Sequence, residues 1–208
     1  NNTQTENAES IVLELKSPGI SRGLYLGNLD AYSVTVEITD DTEGLVYSET
    51  QNLAIADFGS SFFAWAFNRI RRKKFFLTVL LPVYATATAK ITISKAGGIA
   101  KCGVCALGPL VDAGLSEYGL STEIKDYSTT KFNFDGTSET QVRGYSKKMS
   151  LDVSVDNQVI DSLEEQLAEW RQKPVVWIAA VFMGSAIVYG KYSSFKKVVS
   201  YFSKSKVA

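Results

Sequence analysis

Short runs of alternating apolar and polar residues, each closed by a turn signal, fill the chain from Ile11 to Lys95. In SVTVEIT (Ser33–Thr39), Val34, Val36 and Ile38 share one face of an extended chain, and Thr35, Glu37 and Thr39 the other, because successive strand side chains point to opposite sides. IVLELK (Ile11–Lys16), GLYLGNL (Gly23–Leu29), LVYSET (Leu45–Thr50), FFLTVLL (Phe75–Leu81) and KITISK (Lys90–Lys95) also read as strands. Ser17-Pro18-Gly19, Asp40–Gly44 and Gly97-Gly98 read as turns, and Asp57–Asn68 as a loop leading into an aromatic run. Roughly seven or eight short strands in about 100 residues is the spacing of a β-sandwich.

The pattern changes across Ile99–Ser128. A last strand, Ala100–Leu107, runs into Gly108-Pro109. Proline has a fixed φ and no N–H for a ladder, so the strand should end there. The stretch therefore predicts a joint between two β-rich units, residues 1–109 and 110–208. In the second unit Tyr118–Tyr127 reads as a strand, followed by a loop rich in Thr, Ser and Gly, then by Thr140–Val155. Within the latter, Met149, Leu151, Val153 and Val155 share a face. Asn157–Gln172 predicts a helix, with Val159, Ile160, Leu163, Leu167 and Trp170 spaced 3 or 4 apart. Asp156 is a candidate N-cap, Arg171 and Lys173 suit the C-terminal end of the dipole, and Pro174 closes the helix. Pro174–Gly190 is 17 residues without a charge, at the lower edge of what a membrane-spanning helix needs. Its Val and Ile content and its interruption at Met183-Gly184-Ser185 predict two buried strands joined by a tight turn, with no membrane span. Tyr192–Val199 and Ser200–Val207 read as further strand material. The chain opens in polar sequence, without an initiator Met or signal-peptide pattern, and stops within strand-like sequence. A piece of a longer protein is the expectation.

Composition narrows the chemistry. Lys plus Arg and Asp plus Glu are 22 each, without the basic excess usual for nucleic-acid binding. With no histidine, Ser-His-Asp and Cys-His catalysis are excluded, and two cysteines leave structural zinc short of N/S ligands. Cys102-Gly-Val-Cys105 has redox-motif spacing, but ALGP follows it where a thioredoxin-like site would start a helix. Two thiols packed in a strand are the expectation. Asp40, Asp41 and Glu43 could offer oxygens to calcium, yet lack the EF-hand pattern and suit a turn. Arg69, Arg71, Arg72, Lys73 and Lys74 form the one charge cluster, which could bind phosphate or a polyanionic sugar or simply guard a strand edge. Asp112, Glu117, Glu123 and Asp126 lie near the joint without a spacing that marks a catalytic carboxylate pair. Trp65, beside Phe62, Phe63 and Phe67, could stack on a sugar or fill the core.

KITISKAGGIAKCGVCALGP (Lys90–Pro109) resembles the final strands of galactose-binding-like, carbohydrate-binding-module-like β-sandwiches in tailed-bacteriophage tail proteins. EYGLSTEIKDYS, GYSKKMSLDVSV, LEEQLAEWRQKPVVWIA and AIVYGKYSSF resemble the C-terminal part of the same virion proteins. The second unit is also similar to tail-tube domains, β-sandwiches with one flanking helix and a long hairpin. The resemblance implies a mainly β protein of two β-sandwich units: a jelly-roll-like first, and a second carrying the helix at about 157–172. It implies a structural component of a tail or tail tip in the virion, made in the host cytoplasm. Its partners would be itself, in a ring or around a hub, and other tail proteins. No catalytic residue, cofactor or nucleic acid is implied. The natural subunit contact would be a Thr/Ser-rich hairpin, Thr129–Val142, with Thr129, Phe132, Phe134 and Thr140 as contact residues. The alternative is a module for a host-surface glycan, held by Trp65, Phe63, Arg71 and Arg72. A tail-associated glycan-degrading enzyme is a third reading.

Overall fold

The alternating run at Ser33–Thr39 becomes an inner strand of the larger sheet. In a computed structural model, which describes residues 3–16, 19–55, 71–84, 86–198 and 204–207, the chain is mainly β, with 56% strand and 7% helix. It divides into two units, Asn2–Leu110 and Val111–Ala208.

The first unit contains β1 (Thr5–Lys16), β2 (Gly23–Gly27), β3 (Ser33–Asp40), β4 (Gly44–Asn52), β5 (Ala54–Ile55), β6 (Arg71–Arg72), β7 (Phe75–Thr78), β8 (Thr88–Cys102) and β9 (Val104–Gly108). They form a four-stranded sheet ordered β1-β8-β3-β4, a three-stranded sheet ordered β7-β2-β9, and the short pair β5-β6. All pairings are antiparallel. Val34, Val36 and Ile38 of β3 and Ala89, Ile91 and Ile93 of β8 share one core with Leu24 and Leu26 of β2 and Phe76 of β7. Fully burying each of the larger side chains contributes about 1.5–3 kcal/mol. This two-sheet core is a sandwich built by period-2 patterning.

Two expectations for β8 and β9 are corrected. Gly97-Gly98 is not a turn. The strand runs on to Cys102, with Ser10 opposite Ser94 and Ala8 opposite Ile99, so Lys95–Gly98 bulges opposite the single residue Glu9. The ladder continues because β1 reaches back to Thr5 through polar sequence, and backbone pairing needs no apolar side chains. The expected strand Ala100–Leu107 is two strands in different sheets, bent at Gly103. A Cβ there would sit 2.8 Å from Asn28 Cβ, so the corner needs a residue without one. Gly108 ends β9, as Pro109 requires. The expected turn at Asp40–Gly44 is present, held by Asp40, whose side chain accepts from Thr42 N, Thr42 Oγ1, Glu43 N and Thr86 Oγ1.

The second unit contains β10 (Leu115–Ser116), β11 (Ser121–Asp126), β12 (Thr129–Phe132), β13 (Ser138–Gln141), β14 (Tyr145–Ser150), β15 (Val153–Asp156), α1 (Ile160–Glu169), β16 (Val175–Ile178), β17 (Ile187–Gly190), β18 (Lys197–Val198) and β19 (Lys204–Val207). A sheet ordered β10-β15-β19-β18 and the helix bring Val155, Ile160, Leu163 and Leu167 into one cluster, with Val153, Trp170, Trp177 and Phe195 packed against it. The expected strand Thr140–Val155 is divided into β13, β14 and β15, each with a different partner.

The helix is shorter than its apolar spacing suggests. Asp156 Oδ1 accepts from Gln158 N at 3.1 Å, closing a turn ahead of the helix, while Val159 holds the N-cap position without a side-chain cap. At the other end Trp170 is the C-cap, so Arg171 and Lys173 lie beyond the last turn. Beyond Pro174, β16 and β17 form the expected hairpin, though mostly half-buried and joined by Ala179–Ala186, which includes a 3₁₀ turn at Gly184–Ala186. No helix among the described residues is long and apolar enough to cross a membrane.

Candidate functional site

The segment Ser121–Ser150 forms a long two-stranded arm. β11 pairs with β14, from Ser121↔Ser150 to Asp126↔Tyr145. β12 pairs with β13, from Thr129↔Gln141 to Phe132↔Ser138. Between the two ladders, Tyr127 N donates to Gly144 O at 3.3 Å and Arg143 N to Ser128 Oγ at 3.0 Å. From Ser121 to Phe132 an extended chain spans at most about 36 Å at 3.3 Å per residue.

Local polar chemistry shapes this arm. Asp126 Oδ1 accepts from Ser128 Oγ at 2.7 Å and Ser128 N at 2.9 Å. At the tip, Asp135 Oδ1 accepts from Thr137 Oγ1 at 2.6 Å and Thr137 N at 2.9 Å, while Asn133 N donates to Thr137 O at 2.8 Å. These bonds favour the ionised carboxylates. Asp126 is lowered chiefly by the Ser128 hydroxyl, and Asp135 by the Thr137 hydroxyl. Thr130 and Thr140 stand opposite each other, their hydroxyls 3.1 Å apart. Tyr127 shares a 3.0 Å hydrogen bond with Ser146 and lies under Lys125, 5.5 Å from its ring centroid.

At the base of the arm β14 meets another element, β17, where Ser146 and Met149 are half-buried. Every residue of β11, β12 and β13 is exposed. Phe132 is 81% exposed, Val142 82%, and Phe134 at the tip is fully open. Each ladder has two strands, so the outer edges of both are unpaired among the described residues. Water-exposed two-stranded ribbons are marginal on their own, and open edges offer a row of donors and acceptors to another strand. Thr129, Phe132, Phe134 and Thr140 all lie on this arm. Val142, the last residue of the expected hairpin, is exposed as well, and so are Ile124 and Tyr145, which lie outside that hairpin and were missed. Their signal was present as apolar residues within Tyr118–Tyr127 and Thr140–Val155.

Of the four glycan candidates, only Arg71 and Arg72 fall among the described residues. Trp65 and Phe63 lie outside the described residues. Arg71 and Arg72 form the exposed strand β6, and the Arg72 guanidinium lies 4.1 Å from the centroid of the Tyr32 ring. Tyr32, also missed, sits just before β3, where its backbone donates to Ser94 O and accepts from Leu53 N. Cys102 is buried and Cys105 half-buried, both as free thiols. Burial pushes both thiols up, Cys105 to about 11, which keeps them protonated and poorly nucleophilic. The oxygens of Asp40 are occupied by hydroxyl and amide donors. Among the described residues no group of His, Cys, Asp and Glu is arranged to hold a metal ion. The sequence matches no family model, no curated protein and no solved structure.

Proposed function

We propose that this chain is a structural subunit of a tailed-phage tail or tail tip, and that it assembles with copies of itself through the arm Ser121–Ser150. The observation that carries the assembly reading is the arm itself, a ribbon with open edges and uncovered Phe132, Phe134 and Val142. A strand from a neighbouring copy would complete the edges by β-augmentation and cover the aromatic tip. Charge suits a second copy as partner. The arm carries Glu123, Asp126, Asp135 and Glu139 against Lys125, Lys131, Arg143, Lys147 and Lys148, so copies meet without strong repulsion. The phage-tail part rests on the resemblance of YGLSTEIKDYS and KPVVWI to such virion proteins. On this reading the protein works in the virion among other tail proteins and performs no chemical step.

The test is the oligomeric state of the full chain by light scattering and electron microscopy across a range of concentrations. The expected result is a symmetric oligomer whose interfaces bury at least about 1,200 Å², reduced to monomer by Phe132→Ser with Phe134→Ser. A monomer at every concentration, or an oligomer indifferent to these substitutions, would refute the reading.

A further inference from the structure

The first unit holds a second surface that the assembly reading does not use. Gln4, Asn28, Leu29, Asp30, Arg72, Lys74 and Lys101 line a cleft of about 590 Å³, within the size range of small-molecule sites. Its lining is unlike most such sites. Leu29 is the one apolar residue and is itself buried. The backbone of the floor is already paired, with Leu29 N donating to Lys74 O at 2.9 Å, Asp30 N to Lys101 O at 3.0 Å and Lys101 N to Asp30 O at 3.1 Å. Gln4 Nε2 donates to Asn28 O at 2.9 Å and so fixes one wall. Recognition here falls to side chains.

Those side chains are cationic. Lys101 is bound to Glu6 at 2.6 Å, and Asp30 to Lys95 at 2.7 Å. With these pairs set aside, Arg72 and Lys74 have no ion-pair partner among the described residues. A chain with equal numbers of acidic and basic residues thus has a local positive excess at this cleft. Tyr32 supports the face of the Arg72 guanidinium. Such stacking holds the planar fork in place, and a fork suits a carboxylate or sulfate better than a point charge does.

We propose that this cleft binds an acidic saccharide, one bearing carboxylate or sulfate groups. The volume exceeds what a single inorganic anion fills. The polar lining suits a hydroxyl-rich ligand, with Gln4, Asn28 and Asp30 as hydrogen-bonding groups and Arg72 and Lys74 for the negative charge. The cleft lies in Asn2–Leu110 and the arm in Val111–Ala208, so this proposal stands or falls apart from the assembly reading.

The experiment is calorimetric titration of the full chain with an oligogalacturonate, a heparin-derived oligosaccharide, a neutral oligogalactose, inorganic phosphate and a single-stranded oligonucleotide. At least one acidic saccharide should bind, more weakly as salt rises, and the neutral sugar should not. Arg72→Lys, which keeps the charge but loses the fork, should weaken binding at least about tenfold, equal to 1.4 kcal/mol. Lys74→Gln should weaken it as well, and Lys173→Gln in the other unit should leave it unchanged. All three side chains are exposed, and thermal melting will show whether each variant is folded. The proposal is overturned if neither acidic saccharide binds, or if the neutral sugar binds equally well. It is also overturned if phosphate or the oligonucleotide binds more tightly, or if Arg72→Lys and Lys74→Gln have no effect.

Discussion

Asp40 shows how much one side chain can organise. It is 4% exposed and accepts from two threonine hydroxyls and two backbone amides, tying the β3–β4 turn to Thr86. The Thr42 hydroxyl, then the Thr86 hydroxyl, pull its carboxyl down to about 2. An unfolded aspartate titrates near 3.9, so the folded state binds this proton less readily. The stabilisation is complete above about pH 4 and fades as pH falls toward 2. Asp40→Asn should therefore melt below the parent protein at neutral pH, with the gap closing in strong acid. Circular-dichroism melts from pH 7 to 2 read this directly, and a pH-independent gap would contradict it. Gly114 makes a second prediction. It has φ +106°, and a Cβ there would lie 2.5 Å from Ser154 O. Gly114→Ala forces strain worth about 1–3 kcal/mol on that backbone, before the clash is counted. It should lower the melting temperature of the second unit, as followed by the fluorescence of Trp170 and Trp177.

At the scale of elements, legibility followed local rules. β3 could be read because its alternation is complete and one face is buried. The helix could be read because Ile160, Leu163 and Leu167 recur at helical spacing. What local pattern missed was decided by partners distant in sequence. Nothing in AGGIAKC says that Thr5–Ala8 will lie alongside and turn a Gly-Gly pair into a bulge. Nothing near Arg72 announces Tyr32, which meets it only through the fold. The arm was partly legible: its Thr/Ser-rich hairpin stood out, but its edges and exposure emerge only when no other strand takes them. One prediction separates an arm that props up its own unit from one that serves a neighbour. Val142→Ser alters a side chain that is 82% exposed. Surface changes of this kind usually move stability by less than about 0.5 kcal/mol. The melting temperature should hold while self-association weakens. A large drop in melting temperature would mean that the arm packs within its own chain.

At the scale of the whole molecule, two cores with no residue in common imply separable stability. Ile91 is fully buried in the first cluster, and Leu163 is buried, at 4% exposure, in the second. Truncating either to alanine should cost about 2–5 kcal/mol in its own unit, and costs at distant, independent sites add. The same separation bears on assembly. If contact between copies belongs to the arm, a flexible Gly-Ser insertion between Leu110 and Val111 should leave both melting transitions and the oligomer in place. Combining that insertion with Phe132→Ser and Phe134→Ser should abolish the oligomer without lowering either transition. Light scattering and thermal melts on the four chains, with and without insertion and arm substitutions, give a complete cycle. Loss of the oligomer from the insertion alone would show that assembly needs both units held in one arrangement, and an arm-only contact would have to be abandoned.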